Sequence, residues 1–268
     1  MNLAGRTAVV TGAGGGIGRA LAMSLASRRC HLALADIDDA GLAETHRLLE
    51  NRGVEVSLHP LDVADRDAVA ALPAAVARRH DEVHLLFNNA GVAVGGSFEE
   101  VGETDFRWLF DINFWGVVGM TRAFLPVLKR SDEARIVNLS SLFGLISPPG
   151  QTAYCASKFA VRGFSNALRH ELAGSTVSLT VVHPGGVATS IAKHARRPPG
   201  RSEADMAVSI AKIETLLRMP PERAGEIIVR GVAKGKARIL VGMDAKIASV
   251  IERLMPVSYW RLLGRGIS

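Results

Sequence analysis

The glycine-rich run Thr11-Gly12-Ala13-Gly14-Gly15-Gly16-Ile17-Gly18 joins a short aliphatic stretch to a long amphipathic one, and this junction constrains the fold more than any other feature. A strand that passes through glycines into a helix leaves that helix's first N–H groups unpaired, with the positive end of its dipole at the turn. Such a turn suits a diphosphate. Gly12, Gly14, Gly15, Gly16 and Gly18 permit positive φ and close approach of a ligand, and Ile17 begins the apolar face of the helix. The spacing is G-x-x-x-G-x-G; Ile17 and Arg19 fall where G-x-G-x-x-G would place its last glycine. A plain strand-to-helix turn would use the same glycines, so the run alone does not name a ligand.

The rest of the chain repeats the same rhythm. Strands are predicted at Thr7 to Val10, His31 to Ala35, Val54 to Leu58, Val83 to Phe87, Arg135 to Leu139, Val177 to Val182 and Ile239 to Val241. Between them, Gly16 to Arg28, Ala40 to Asn51, Asp65 to Arg79, Asp105 to Lys129, Ala153 to Leu172 and Pro221 to Ala233 carry apolar residues at three- and four-residue spacings. Strand-helix alternation with right-handed crossovers predicts an α/β fold: a single-domain, Rossmann-type, doubly wound parallel sheet of about seven strands with helices on both faces. The ligand crevice then lies at the C-terminal ends of the strands. No linker or repeat divides residues 1 to 268, which read as one dinucleotide-binding and catalytic domain. Within it, about 190 to 217 reads as a substrate lid, with Arg196-Arg197-Pro198-Pro199-Gly200 as a loop and Asp205 to Leu217 as a helix. About 244 to 268 forms a C-terminal tail.

Composition narrows the class further. The chain has 268 residues, a formal charge of +6 and 48% hydrophobic residues, which excludes a disordered or disulfide-dependent chain. Most positive charges alternate with acids along helix faces, so no nucleic-acid partner is expected. No apolar run reaches membrane-spanning length, and the strand-like start shows no signal core. Cys30 and Cys155 have neither paired nor metal-ligand spacing, which leads to the expectation of a cytoplasmic protein without a metal.

Asp36 closes the second strand, eighteen residues beyond Gly18, where a carboxylate can accept hydrogen bonds from both ribose hydroxyls of an adenosine. Capping the next helix is the competing role, and Asp38 and Asp39 are better placed for it. Tyr154 and Lys158 lie four residues apart and share a helix face about one turn apart. A surface tyrosine beside a solvated lysine would show the same spacing.

With Thr11 to Gly18, Asp62-Val63, Asn88-Asn89-Ala90-Gly91, Asn113, Ser141, Tyr154-Cys155-Ala156-Ser157-Lys158 and Pro184-Gly185-Gly186-Val187-Ala188-Thr189 in this order, the chain resembles the short-chain dehydrogenase/reductase family as far as about residue 245. The resemblance implies NAD(H) as cofactor, held by the glycine loop with Asp36, Asp62, Val63, Asn89, Ala90, Gly91, Pro184, Gly185, Val187 and Thr189. In that reading Asp62-Val63 meets the adenine, Asn89 or its neighbours line the cofactor floor, and Thr189 meets the nicotinamide carboxamide. Tyr154 is implied as general base, aided by Lys158 and by the positive nicotinamide, each of which favours the phenolate. Ser141, thirteen residues before Tyr154, would hydrogen-bond the reacting oxygen, with Ser140 as the competing candidate. Asn113 would help to hold a water for proton relay from Lys158; a helix-helix hydrogen bond is the alternative.

The expected activity is interconversion of a secondary alcohol and a ketone, with NAD preferred. Pocket edges at Val92 to Gly96, Leu142 to Ile146, Gln151, Ile191, Met206 and Ile210 are mainly apolar and small, which points to a lipophilic substrate such as a steroid, a retinoid or another lipid. The basic run Lys193 to Arg201 supports the alternative of an anionic hydroxyacyl or hydroxy-acid substrate. A non-catalytic NAD(H)-sensing module is a third reading, weighed against by the presence of Ser141, Tyr154 and Lys158 together. Family resemblance also implies a homotetramer or homodimer, with Trp108, Phe114, Trp115, Phe124, Phe159 and Phe164 as excess apolar positions. In the tail, Ile247, Val250, Ile251, Leu254 and Met255 recur at helical spacing. Such a stripe is expected in the core or a subunit interface, with peripheral membrane contact as the other reading.

Overall fold

The computed structural model describes residues 1–196, 215 and 217–264. Its centre is a seven-stranded parallel sheet: β1 (Thr7–Thr11), β2 (His31–Asp36), β3 (Val56–Pro60), β4 (Leu85–Asn88), β5 (Ala134–Leu139), β6 (Val177–Pro184) and β7 (Arg238–Val241). The order across the sheet is β3-β2-β1-β4-β5-β6-β7, so the winding reverses between β1 and β4 and opens a crevice above their C-terminal ends. Helices α1 (Gly16–Ala26), α2 (Asp39–Leu49), α3 (Arg66–Ala77), α4 (Glu103–Phe110), α5 (Gly116–Leu128), α6 (Thr152–Glu171) and α7 (Pro221–Ala233) follow the strands. Helices α8 (Met243–Leu254) and α9 (Trp260–Leu263) form the tail. Among the described residues, no helix is long and apolar enough to cross a membrane.

Alternation along the buried strands divides the core in two. Val10, Leu34 and Phe87 face one layer with Leu21 and Leu25 of α1 and Ile228 and Val229 of α7. Val9, Ala33 and Leu86 face the other, with Val69 and Leu72 of α3 and Phe124 and Leu128 of α5. Because side chains alternate with period two, β1 and its neighbours need apolar residues at every position, which is why they read as unbroken aliphatic runs. The helix α1 approaches its neighbours closely: a Cβ on Gly225 of α7 would lie 2.8 Å from the Ala20 backbone, and one on Gly18 would overlap the Gly12 carbonyl. Asp38 caps α2 by accepting the Gly41 N–H at 3.0 Å, which leaves Asp36 for another use.

Three sequence expectations change. Strands β3 and β4 start two residues later than predicted, at Val56 and Leu85. The helix expected over 105–129 is divided, with a π-helical turn at Asp111–Trp115 between α4 and α5. Of the tail stripe, Ile251 and Met255 are half-buried and the other three residues lie outside the core of this chain. Ala245, Ala248 and Ser249 form the inward face of α8, since small side chains allow it to pack closely, and Ile247, Val250 and Leu254 remain exposed. The expected lid helix at 205–217, apart from Thr215 and Leu217, and residues 197–201 of the basic run lie outside the described residues.

Candidate active site

The glycine loop is held from below by side chains distant in sequence. The Thr11 hydroxyl donates to the Phe87 carbonyl at 3.2 Å and accepts the N–H groups of Asn89 and Ala90, both at 3.0 Å. The Asn89 amide donates back to the carbonyls of Thr11 and Gly12 at 2.9 and 3.1 Å. Gly12 has φ of +67° and Gly16 of +49°, conformations that explain glycine at both positions. Ile17 packs on the core beneath. No side chain caps the start of α1, and a Cβ on Gly15 would meet nothing within 4 Å. The loop therefore presents free N–H groups to open space, as a diphosphate requires.

Asp36 sits beside this loop. One carboxylate oxygen accepts the Gly14 N–H at 2.7 Å and the other the Asp38 N–H at 3.0 Å, so the side chain is fixed in place. Arg19, the nearest cation in sequence, is engaged below: it donates to the Thr45 hydroxyl at 2.9 Å, to the Gly41 carbonyl at 3.3 Å and to the Gly14 carbonyl. Asp62 pins its own turn by accepting the Ala64 N–H at 2.9 Å, and Val63 packs under α5, where a Cβ on Gly116 would lie 2.9 Å from its side chain. On the opposite side, β6 ends at Pro184 and the chain turns back over the loop. The methyl of Thr189 lies 3.2 Å from where a Gly16 Cβ would stand. Gly185 donates to the Val241 carbonyl, and Val187 to that of Gly185, both at 2.9 Å.

The second half of the site gathers around α6. Tyr154 and Lys158 stand one turn apart on its buried face, with the ammonium 5.7 Å from the phenol ring centre. The Lys158 Nζ donates to the Leu139 carbonyl at the end of β5, at 3.3 Å. Ser141 follows that strand; its hydroxyl accepts the Phe143 N–H at 3.1 Å and favours the phenolate of Tyr154. Ser140 points elsewhere and donates to the Lys158 backbone carbonyl at 2.8 Å, which ties α6 to β5. Gly91 explains its own residue type: a Cβ there would lie 3.1 Å from the Asn113 Oδ1 and 3.3 Å from the Lys158 Nζ. Asn113, on the π-helical turn, accepts the Val92 N–H at 2.8 Å and donates to the Val92 carbonyl at 3.0 Å and the Ser157 hydroxyl at 3.2 Å. Its side chain is thus committed to holding the loop after β4.

Burial governs the electrostatics. It pushes the Tyr154 phenol up to about 12 against the opposing effect of the Ser141 hydroxyl. It brings the Lys158 ammonium down to about 8. Burial thus favours the protonated phenol at neutral pH.

Several contributors were not singled out from sequence. Asp244 at the start of α8 accepts the Gly186 N–H at 2.6 Å and holds the turn after β6. His183, buried below Ser141, donates from Nδ1 to the Ser141 carbonyl at 2.9 Å, and burial brings its pKa down to about 4. Tyr259 accepts the Ser147 N–H at 2.9 Å, so the tail touches the 142–151 segment. Arg196 lies 3.6 Å over the Trp108 ring, pairs with Asp105 at 3.1 Å, and bonds through its backbone to Ala93 and Gly95. Asp244, His183 and Tyr259 gave no signal in the sequence beyond being polar residues near the ends of elements, whereas Arg196 stood in the basic run.

Residues 6–200 match the family model described as short chain dehydrogenase. The oxidoreductase SadH of Mycobacterium tuberculosis is 47% identical over 266 residues, spanning 98% of this chain and 96% of SadH. A short-chain dehydrogenase/reductase from Burkholderia phymatum, solved in complex with NAD, superposes with a TM-score of 0.86 at 33% identity over 95% of each chain. An alcohol dehydrogenase from the archaeon Thermococcus sibiricus, solved with 5-hydroxy-NADP, gives a TM-score of 0.75 at 26% identity over 88% of this chain and 95% of its own.

Proposed function

Since this chain belongs to the short-chain dehydrogenase/reductase family of oxidoreductases, we propose that it interconverts a secondary alcohol and a ketone with NAD(H), on a lipophilic substrate. The observation that carries the proposal is the convergence of Ser141, Tyr154 and buried Lys158 at the end of β5. A module that only senses the cofactor has no need of a phenol, a hydroxyl and a buried ammonium at one point.

The open, uncapped glycine loop with Asp36 fixed beside it fits a dinucleotide, with Gly12 to Gly18 and Asp36 holding it and Thr189 closing over it. When bound, NAD(H) supplies the hydride chemistry. Tyr154 gives a proton to the carbonyl oxygen in reduction and removes it from the hydroxyl in oxidation. Ser141 orients that oxygen, and Lys158 holds positive charge near the phenol. Ser140 and His183 position Ser141 and α6, and Asn113 positions the Val92 loop. The proposed roles of Asp62, Val63, Asn89, Ala90, Gly91, Pro184, Gly185 and Val187 are to line the cofactor groove.

Val92, Leu142 and Phe143, half-buried in the segments proposed to edge the substrate pocket, support a lipophilic substrate. The pairing of Arg196 with Asp105 and Trp108 weakens the anionic alternative, because this member of the basic run is already neutralised. NAD⁺ reduction against a panel of secondary alcohols tests the proposal. Turnover is expected with lipophilic members, and turnover confined to hydroxy acids would overturn the substrate class.

We place the enzyme in the cytoplasm as a homotetramer or homodimer. Trp115, at 52% exposure, lies on the π-helical turn beside Phe114 and supports a subunit contact there. Light scattering is expected to give a multiple of 28.5 kDa, and a monomer at micromolar concentration would reject the assembly.

A further inference from the structure

We propose that the outer face of α8 docks this protein on an anionic lipid surface. Met243, Ile247, Val250 and Leu254 fall at positions i, i+4, i+7 and i+11 of the helix and form one stripe. Each is more than half exposed, from 51% at Ile247 to 75% at Leu254, and Val257 continues the stripe beyond the helix. The inward face carries Ala245, Ala248 and Ser249, so the helix is bound to the domain by its small residues and turns its large ones away. A lone exposed leucine needs no explanation, but a continuous stripe on one helix does.

The charge beside the stripe selects the occupant. Lys246 and Arg253 are exposed along one edge of the stripe, and Arg261 is exposed on the following turn. Of the two carboxylates on α8, Asp244 accepts the Gly186 N–H and Glu252 lies half-buried on the side away from the stripe. An apolar band with a basic margin and few opposing acids matches acyl chains below anionic headgroups. A second copy of the chain is less well matched. Antiparallel pairing of α8 across a two-fold axis would bring both Lys246–Arg253 edges to the same side of the contact, with no exposed carboxylate row to meet them.

Co-sedimentation of the full-length protein with vesicles tests this, using phosphatidylcholine alone and phosphatidylcholine mixed with phosphatidylglycerol. Binding to the mixed vesicles is expected, weakening as salt is raised. Two variants, Ile247→Asp with Leu254→Asp and Lys246→Glu with Arg253→Glu, are expected to lower it by about tenfold or more with the solution mass unchanged. The charge-reversed pair alters no apolar residue, so it decides the matter should the stripe variant not fold. Absence of wild-type binding, equal binding by the charge-reversed variant, or a loss of oligomer mass without a change in vesicle binding would each overturn the proposal. None of these readouts depends on catalytic activity.

Discussion

Replacement Tyr154→Phe is expected to lower kcat by about 10²- to 10⁴-fold in both directions, the range associated with loss of a positioned proton donor or acceptor. The phenol is the titrating group influenced by Ser141, and phenylalanine keeps the ring and its edge contact with Phe143, whose centroid lies 6.1 Å away. Thermal stability should change little and KM less than kcat, because the loss falls on proton transfer rather than on packing. The pH profile carries the same assignment. With the phenol pushed up to about 12, Tyr154 is protonated throughout the neutral range. Reduction of a ketone then needs no prior titration, whereas oxidation of an alcohol should accelerate as pH rises. A variant with near-wild-type kcat would remove Tyr154 from the proposed mechanism.

Cofactor choice should be the second large effect. NADP(H) carries a phosphate on the adenosine 2′ oxygen, and the Asp36 carboxylate, pinned by the N–H groups of Gly14 and Asp38, cannot readily withdraw from it. Arg19 offers no compensation, since its guanidinium is engaged with Thr45 and the carbonyls of Gly41 and Gly14. NAD(H) is therefore expected to be preferred by at least about tenfold in kcat/KM, equivalent to roughly 1.4 kcal/mol or more of differential binding in the transition state. Asp36→Ala should narrow the preference mainly by weakening NAD use. Ile37, with 72% of its surface exposed at the next position, leaves room for Ile37→Arg, which should begin to reverse the preference. Equal kcat/KM for the two cofactors in the unmodified enzyme would show that Asp36 does not face the ribose.

The order of strands and helices was legible in the residues because it depends on local periodicity. Thr7 to Thr11 and His31 to Asp36 are apolar enough to be buried on both faces, and glycines mark the turn between β1 and α1. The pairing of Tyr154 with Lys158 was equally local, since four residues make one turn of α6. Tertiary structure alone decided what surrounds them. Thr11 and Asn89 meet across 78 residues because β1 and β4 are neighbours in the sheet, and Asp244 reaches Gly186 across 58 because α8 returns over the end of β6. The π-helical turn at Asn113 interrupts a stretch whose apolar spacing reads as one continuous helix. Burial also decides the ionisation of Tyr154 and Lys158, and it depends on what packs over α6. Spacing along a chain sets which side chains share a face, whereas desolvation and hydrogen-bond partners come from whichever distant elements the sheet order brings alongside.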